Sequence, residues 1–122
     1  MESEGFTRLE QPVIYELRIY EVVPGRMPAL HDRFATITSR FFAKHGIRVL
    51  GYWTDVIGSN DRLTYMVAWD SLAEREQRWT AFATDPEWIA ARNKTEESGP
   101  IVARVTNTLM QPTPYSPPYQ RS

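Results

Sequence analysis

The chain has 122 residues, 42% of them hydrophobic and 24% charged, with a formal net charge of −1, a size and balance that fit one globular domain with a single core. Its acidic and basic residues are interspersed, so the electrostatic footprint of a nucleic-acid-binding surface is missing, and no apolar run approaches the ~20 residues of a membrane-spanning helix. It contains no cysteine, which removes disulfides, thiolate nucleophiles and zinc–thiolate sites together.

The opening Met1-Glu2-Ser3-Glu4-Gly5 is acidic where a secretory leader is basic and then apolar; a cytoplasmic protein with a flexible polar segment over residues 1–12 is expected. From Val13 to Val22, Tyr15, Leu17 and Ile19 alternate with Glu16, Arg18 and Tyr20, the period of a strand. Pro24-Gly25 breaks it. Pro28 suits a first helical turn, and Met27, Leu30, Phe34, Ile37 and Phe41 then recur at helical spacing. Lys44 and His45 place positive charge in the last turn, where it suits the helix dipole, and Gly46 is a natural stop.

Two further strands, Ile47–Ile57 and Leu63–Trp69, flank the turn cluster Gly58-Ser59-Asn60-Asp61 and predict a hairpin. Ser71 followed by Glu74 is a capping-box pattern, opening a helix with Leu72, Trp79 and Phe82 on its apolar side. Asp85-Pro86-Glu87 starts a short helix through about Asn93, anchored by Trp88. After Gly99-Pro100, a last strand runs from Ile101 to Met110. A proline-rich tail, residues 112–122, follows the domain of residues 13–111 and cannot join a sheet interior.

The order β-α-β-β-α-(short α)-β is the ferredoxin-like α+β pattern, a four-stranded antiparallel sheet with helices on one face. Its second face needs a cover. With the odd positions Tyr15, Leu17, Ile19, Val49, Trp53, Leu63, Tyr65, Val67, Ile101 and Val105 assigned to the helices, the even ones (Tyr20, Leu50, Tyr52, Val56, Met66, Ala68, Val102) point away. Leaving such side chains in water forfeits about 1.5–3 kcal/mol each. A two-fold homodimer with the sheets face to face is therefore expected, the tail with Tyr115 and Tyr119 lying across the partner or the barrel rim.

The Tyr15–Tyr20 run (Tyr-Glu-Leu-Arg-Ile-Tyr) with Pro24-Gly25 resembles the opening of NIPSNAP family proteins. Lys44-His45-Gly46 running into Gly51-Tyr52-Trp53 is similar too, as are Trp79, Phe82, Asp85-Pro86 and Trp88, and the ending Gln111 to Pro117. The resemblance covers about residues 13–118. It implies a dimeric α+β barrel, a superfamily that also holds cofactor-free monooxygenases, haem-degrading enzymes and lactone isomerases. It supplies no set of catalytic residues.

The residues themselves suggest a pocket. Four Trp, six Tyr and five Phe make 12% of the chain, and aromatic side chains favour cores, interfaces and ligand sites. Tyr20, Trp53, Trp69, Trp79 and Trp88 are candidates to line a cavity for a small apolar or aromatic ligand, Tyr20 and Trp53 foremost. His45 is the candidate base, against the simpler reading of a helix-end cation; His31 sits at the edge of the helix stripe, a surface or packing position. Two histidines and no clustered acidic partners make a poor metal site, and no cofactor is expected. Glu16, Arg18 and Arg104 on neighbouring strands read as a paired network or as an anion site. Three functions fit: a cofactor-independent oxygenase, isomerase or cyclase acting on an aromatic or polyketide-like molecule; a non-catalytic binder of haem, with a histidine as axial ligand, or of another hydrophobic molecule; and a dimeric interaction module with a solid core.

Overall fold

The computed structural model of the protein describes residues 14–118; the segment of residues 1–12, Val13, Tyr119 and the end of the tail lie outside them. Strand β1 (Ile14–Val22) leads to helix α1 (Met27–Arg33), a π-helical turn (Phe34–Thr38) and helix α2 (Ser39–Lys44). Strands β2 (Arg48–Thr54) and β3 (Arg62–Trp69) form the hairpin, and helices α3 (Leu72–Ala83) and α4 (Pro86–Thr95) precede strand β4 (Val102–Met110). The sheet order is β2-β3-β1-β4 with every neighbouring pair antiparallel, the split βαβ arrangement.

Local chemistry explains the boundaries. Ser71 Oγ accepts the Glu74 N–H, while the Glu74 carboxylate accepts the N–H of Asp70, a capping box displaced by one residue. Asp85 Oδ1 caps α4 by accepting the Glu87 N–H, with Pro86 at the first turn. Gly46 closes α2 at φ 70°, a conformation that costs glycine little. The hairpin strand ends at Thr54 rather than at Ile57. Asp55 turns back to accept the Ser59 N–H, which leaves Val56 and Ile57 exposed at the tip.

The first long helix is not regular. The N–H of Ser39 reaches the Phe34 carbonyl, five residues back. Thr36, Ser39 and Arg40 donate side-chain hydrogen bonds to the carbonyls of Asp32, Ala35 and Thr36, which compensates the disturbed ladder. The extra residue shifts the buried stripe to Leu30, Phe34, Thr38 and Phe42, so that Phe42 replaces Phe41 as the buried residue of the last turn.

Strand parity is the main correction. Leu63, Tyr65, Val67, Val49, Ile101 and Val105 lie on the helix side as expected, and Met66 and Ala68 on the other. On β1, however, Glu16, Arg18, Tyr20 and Val22 face the helices, and Tyr15, Leu17 and Ile19 face away. An irregularity between Val49 and Gly51 turns Tyr52 onto Phe34 and Tyr65 and sends Trp53 to the opposite face. A second shift near Val22 brings Val102 into the core. Period two fixes alternation but not its sense, and a bulge reverses it.

Candidate functional site

The floor of the site is a buried ion cluster on β1. Glu16 has no solvent exposure. Its carboxylate accepts two hydrogen bonds from Arg75 at 2.8 and 3.0 Å and one from Arg18 Nη1 at 2.8 Å. Trp69 Nε1 and Asn107 Nδ2 each donate at 3.0 Å. Burial pushes the Glu16 pKa up, but the bonds from Arg75, Asn107 and Trp69 and the charge of Arg18 outweigh it and bring the value to about 2. Every lone pair of this carboxylate is used, the condition under which a buried charge is tolerated.

Arg18 links this cluster to a hydroxyl chain. Its Nε donates to the Tyr65 hydroxyl at 2.9 Å, and the Tyr65 and Tyr20 oxygens are 2.9 Å apart. The Trp79 ring covers the guanidinium at 4.2 Å, a cation–π contact. Burial, then the neighbouring Tyr20, raises the pKa of the Tyr65 phenol, which stays protonated.

Above this floor, between the helices and the β1–β4 half of the sheet, lies a cavity of about 620 Å³, within the ~300–1,000 Å³ usual for small-molecule sites. Tyr20, Phe34, Trp79, Phe82 and Trp88 give it aromatic walls, and its lining includes four arginines, Arg18, Arg33, Arg92 and Arg104, with one carboxylate, Glu96, among the described residues. Arg33 is buried and donates to Glu96 at 2.8 Å and to Thr95 at 3.2 Å. Its Nε and the hydroxyl of Thr38, both buried in the cavity wall, have no hydrogen-bond partner among the described residues. The π-helical turn presents Phe34 and Thr38 together; such turns recur at functional sites.

Three of the expected pocket residues, Tyr20, Trp79 and Trp88, line this cavity. Trp69 lies beneath it as a donor to Glu16. Trp53 is on the far face of the sheet, 52% exposed. His45 is outside the cavity lining; its Nε2 lies 2.8 Å from Asp85 Oδ2, which also accepts from Lys44 Nζ at 2.8 Å. Those bonds, Lys44 first and then His45, hold the Asp85 carboxyl well below its ordinary range. His31 is exposed on the outer side of α1. Arg104 lines the cavity without joining the Glu16 cluster. Among the described residues no group of three His, Cys, Asp or Glu is placed to hold a metal, and no helix is long and apolar enough to cross a membrane. Arg33 and Thr38 were not among the sequence candidates; an arginine next to Phe34 on a buried helix stripe was the available signal.

A family model for NIPSNAP matches residues 15–117. A NIPSNAP family protein of unknown function from Agrobacterium tumefaciens is 24% identical over 88% of this chain and 94% of its own, with a TM-score of 0.76. A NIPSNAP-like domain protein from Burkholderia xenovorans is 24% identical over 90% and 93%, with a TM-score of 0.78. A candidate antibiotic biosynthesis monooxygenase from Chloroflexus aurantiacus shares the fold at 17% identity and a TM-score of 0.53, over 82% of this chain and 93% of its own. No curated protein sequence matches the chain. With the family match running from β1 into the proline-rich tail and the fold shared throughout, the chain belongs to the NIPSNAP family, whose protomer is that of the dimeric α+β barrels.

Proposed function

We propose that this protein binds a small molecule with an apolar, aromatic body in the helix–sheet cavity of a two-fold homodimer. The cavity itself carries the reading: about 620 Å³ of space walled by Tyr20, Phe34, Trp79 and Trp88, in a position where large side chains would otherwise close a solid core. A pure interaction module has no need of such a space. The arrangement favours binding over base catalysis. Among the described residues Glu96 is the one carboxylate of the lining and is already paired with Arg33, and His45 is spent on Asp85. The oxygenase, isomerase or cyclase reading with His45 as base therefore draws no support from the geometry. Nor does a haem site with a histidine ligand inside the cavity, since neither His31 nor His45 lines it.

The homodimer rests on a different observation. The face of the sheet turned away from the helices carries Tyr15, Leu17, Ile19, Met66 and the exposed Trp53. On β1 it is more apolar than the face that the helices cover, which holds Glu16 and Arg18. A second copy of the same surface, related by a two-fold axis, covers it symmetrically.

Titration with 2-naphthol tests the ligand reading through the fluorescence of Trp79 and Trp88. Saturable quenching is expected in the native protein, with an affinity at least tenfold weaker in Ala103→Trp, which fills the cavity from its exposed edge strand. Equal quenching in both proteins, or none in either, overturns the reading.

A further inference from the structure

The hydroxyl chain at the cavity floor has a direction. Tyr65 is fully buried, and its oxygen has two partners, Arg18 Nε and the Tyr20 oxygen. Arg18 can only donate. The hydrogen of Tyr65 therefore has one acceptor, the Tyr20 oxygen; in the reverse arrangement a buried O–H would be left unpaired, which is costly. Tyr20 thus accepts from Tyr65, and its own hydrogen has no acceptor among the described residues. Tyr20 lines the cavity and Tyr65 does not.

We propose that Tyr20 donates this hydrogen into the cavity and recognises a phenolate- or enolate-type oxygen on an aromatic ligand, with Tyr65 and Arg18 as positioning residues behind it. Each donor in the sequence Arg18, Tyr65, Tyr20 polarises the next. Two guanidinium groups, Arg18 and Arg75, surround the single carboxylate of Glu16, so the floor carries surplus positive charge beneath the hydroxyl. A single-oxygen anion fits better than a carboxylate. Arg18 already uses Nε and Nη1 within the protein, and the donor that Tyr20 turns to the cavity is a single O–H, which suits one oxygen. The walls of Phe34 and Trp79 then hold the ring that delocalises the charge.

The inference rests on the cavity being a ligand site, and the test separates the two. 4-Nitrophenol and its neutral ether 4-nitroanisole are titrated into the native protein by tryptophan fluorescence. The absorption band of the bound nitrophenolate is followed at a pH below the free phenol's pKa. Nitrophenol is expected to bind about tenfold or more tightly than the ether, with the phenolate band enhanced on binding. Tyr20→Phe, which removes one oxygen and leaves the ring packing in place, should bring the two affinities to within about twofold and abolish the enhancement. Tyr65→Phe should weaken the enhancement without removing ether binding. Should Tyr65→Phe fail to fold, the Tyr20→Phe result decides alone. Equal binding of the two probes without ionisation, or a Tyr20→Phe variant that behaves as the native protein, overturns the inference and leaves the cavity reading standing. Binding of neither probe overturns both.

Discussion

Nε2 of His45 and Oδ2 of Asp85 lie 2.8 Å apart, which ties the end of α2 to the first turn of α4. Asp85 also caps α4 through Glu87, so the pair fixes the angle at which Trp88 enters the core. His45→Asn is expected to lower the melting temperature by several degrees and to leave 2-naphthol affinity within about twofold of the native value. Calorimetry and fluorescence titration of the same preparation check both halves. A loss of affinity without a loss of stability would restore His45 to the binding site.

The Glu16 cluster makes the fold acid-sensitive. Its pKa falls from the ordinary 4.5 to about 2 in the folded protein. A depressed carboxyl stabilises the fold above its unfolded pKa, and that stabilisation is lost as pH falls through the folded value. Between about pH 4.5 and pH 2, roughly 3 kcal/mol should disappear from this group. Urea denaturation at several acidic pH values measures the slope, which should flatten in Glu16→Gln.

Removing that charge is expected to be severe at neutral pH as well. Glu16→Gln leaves Arg18 and Arg75 facing each other without their common counterion, at a cost of about 3–5 kcal/mol. Arg75→Met is milder, because Arg18, Trp69 and Asn107 still serve the carboxylate. Denaturant midpoints for the two variants should rank in that order.

The sheet faces separate by a pair of substitutions. Leu17→Asp places a charge on the surface assigned to the dimer and should yield a folded monomer by light scattering at micromolar concentration. Tyr52→Asp should act on stability instead. Tyr52 packs with ring centroids 5.4 Å from both Phe34 and Tyr65, and burial, then Tyr20, pushes its phenol pKa up to about 12. A Leu17→Asp protein that remains a dimer would reject the face-to-face arrangement.

Much of the fold was written in local patterns. Ser71 with Glu74, Asp85 with Pro86, and Gly46 each mark a helix end by side-chain chemistry that acts within a few residues. What failed was long-range. On β1 the apolar residues Tyr15, Leu17 and Ile19 suggested the helix-facing side, whereas the helices cover Glu16 and Arg18. A charged side chain is stable there because Arg75 and Trp69, more than fifty residues away, converge on it. The same limit applies to the cavity. Aromatic content announced Tyr20, Trp79 and Trp88, but Trp53 was moved to the other face by a bulge that leaves no mark in the hydrophobic pattern. Thr38 was hidden by the π-helical turn, which moves the buried stripe from Ile37 and Phe41 to Thr38 and Phe42.

The cavity as a ligand site is tested most directly by the crystal structure of the protein soaked with 2-naphthol. Ring density is expected between Phe34, Trp79 and Trp88, with the naphthol oxygen within hydrogen-bonding distance of the Tyr20 hydroxyl. An empty cavity at a saturating concentration, or naphthol bound only on the outer face of the sheet or at the surface, would contradict it.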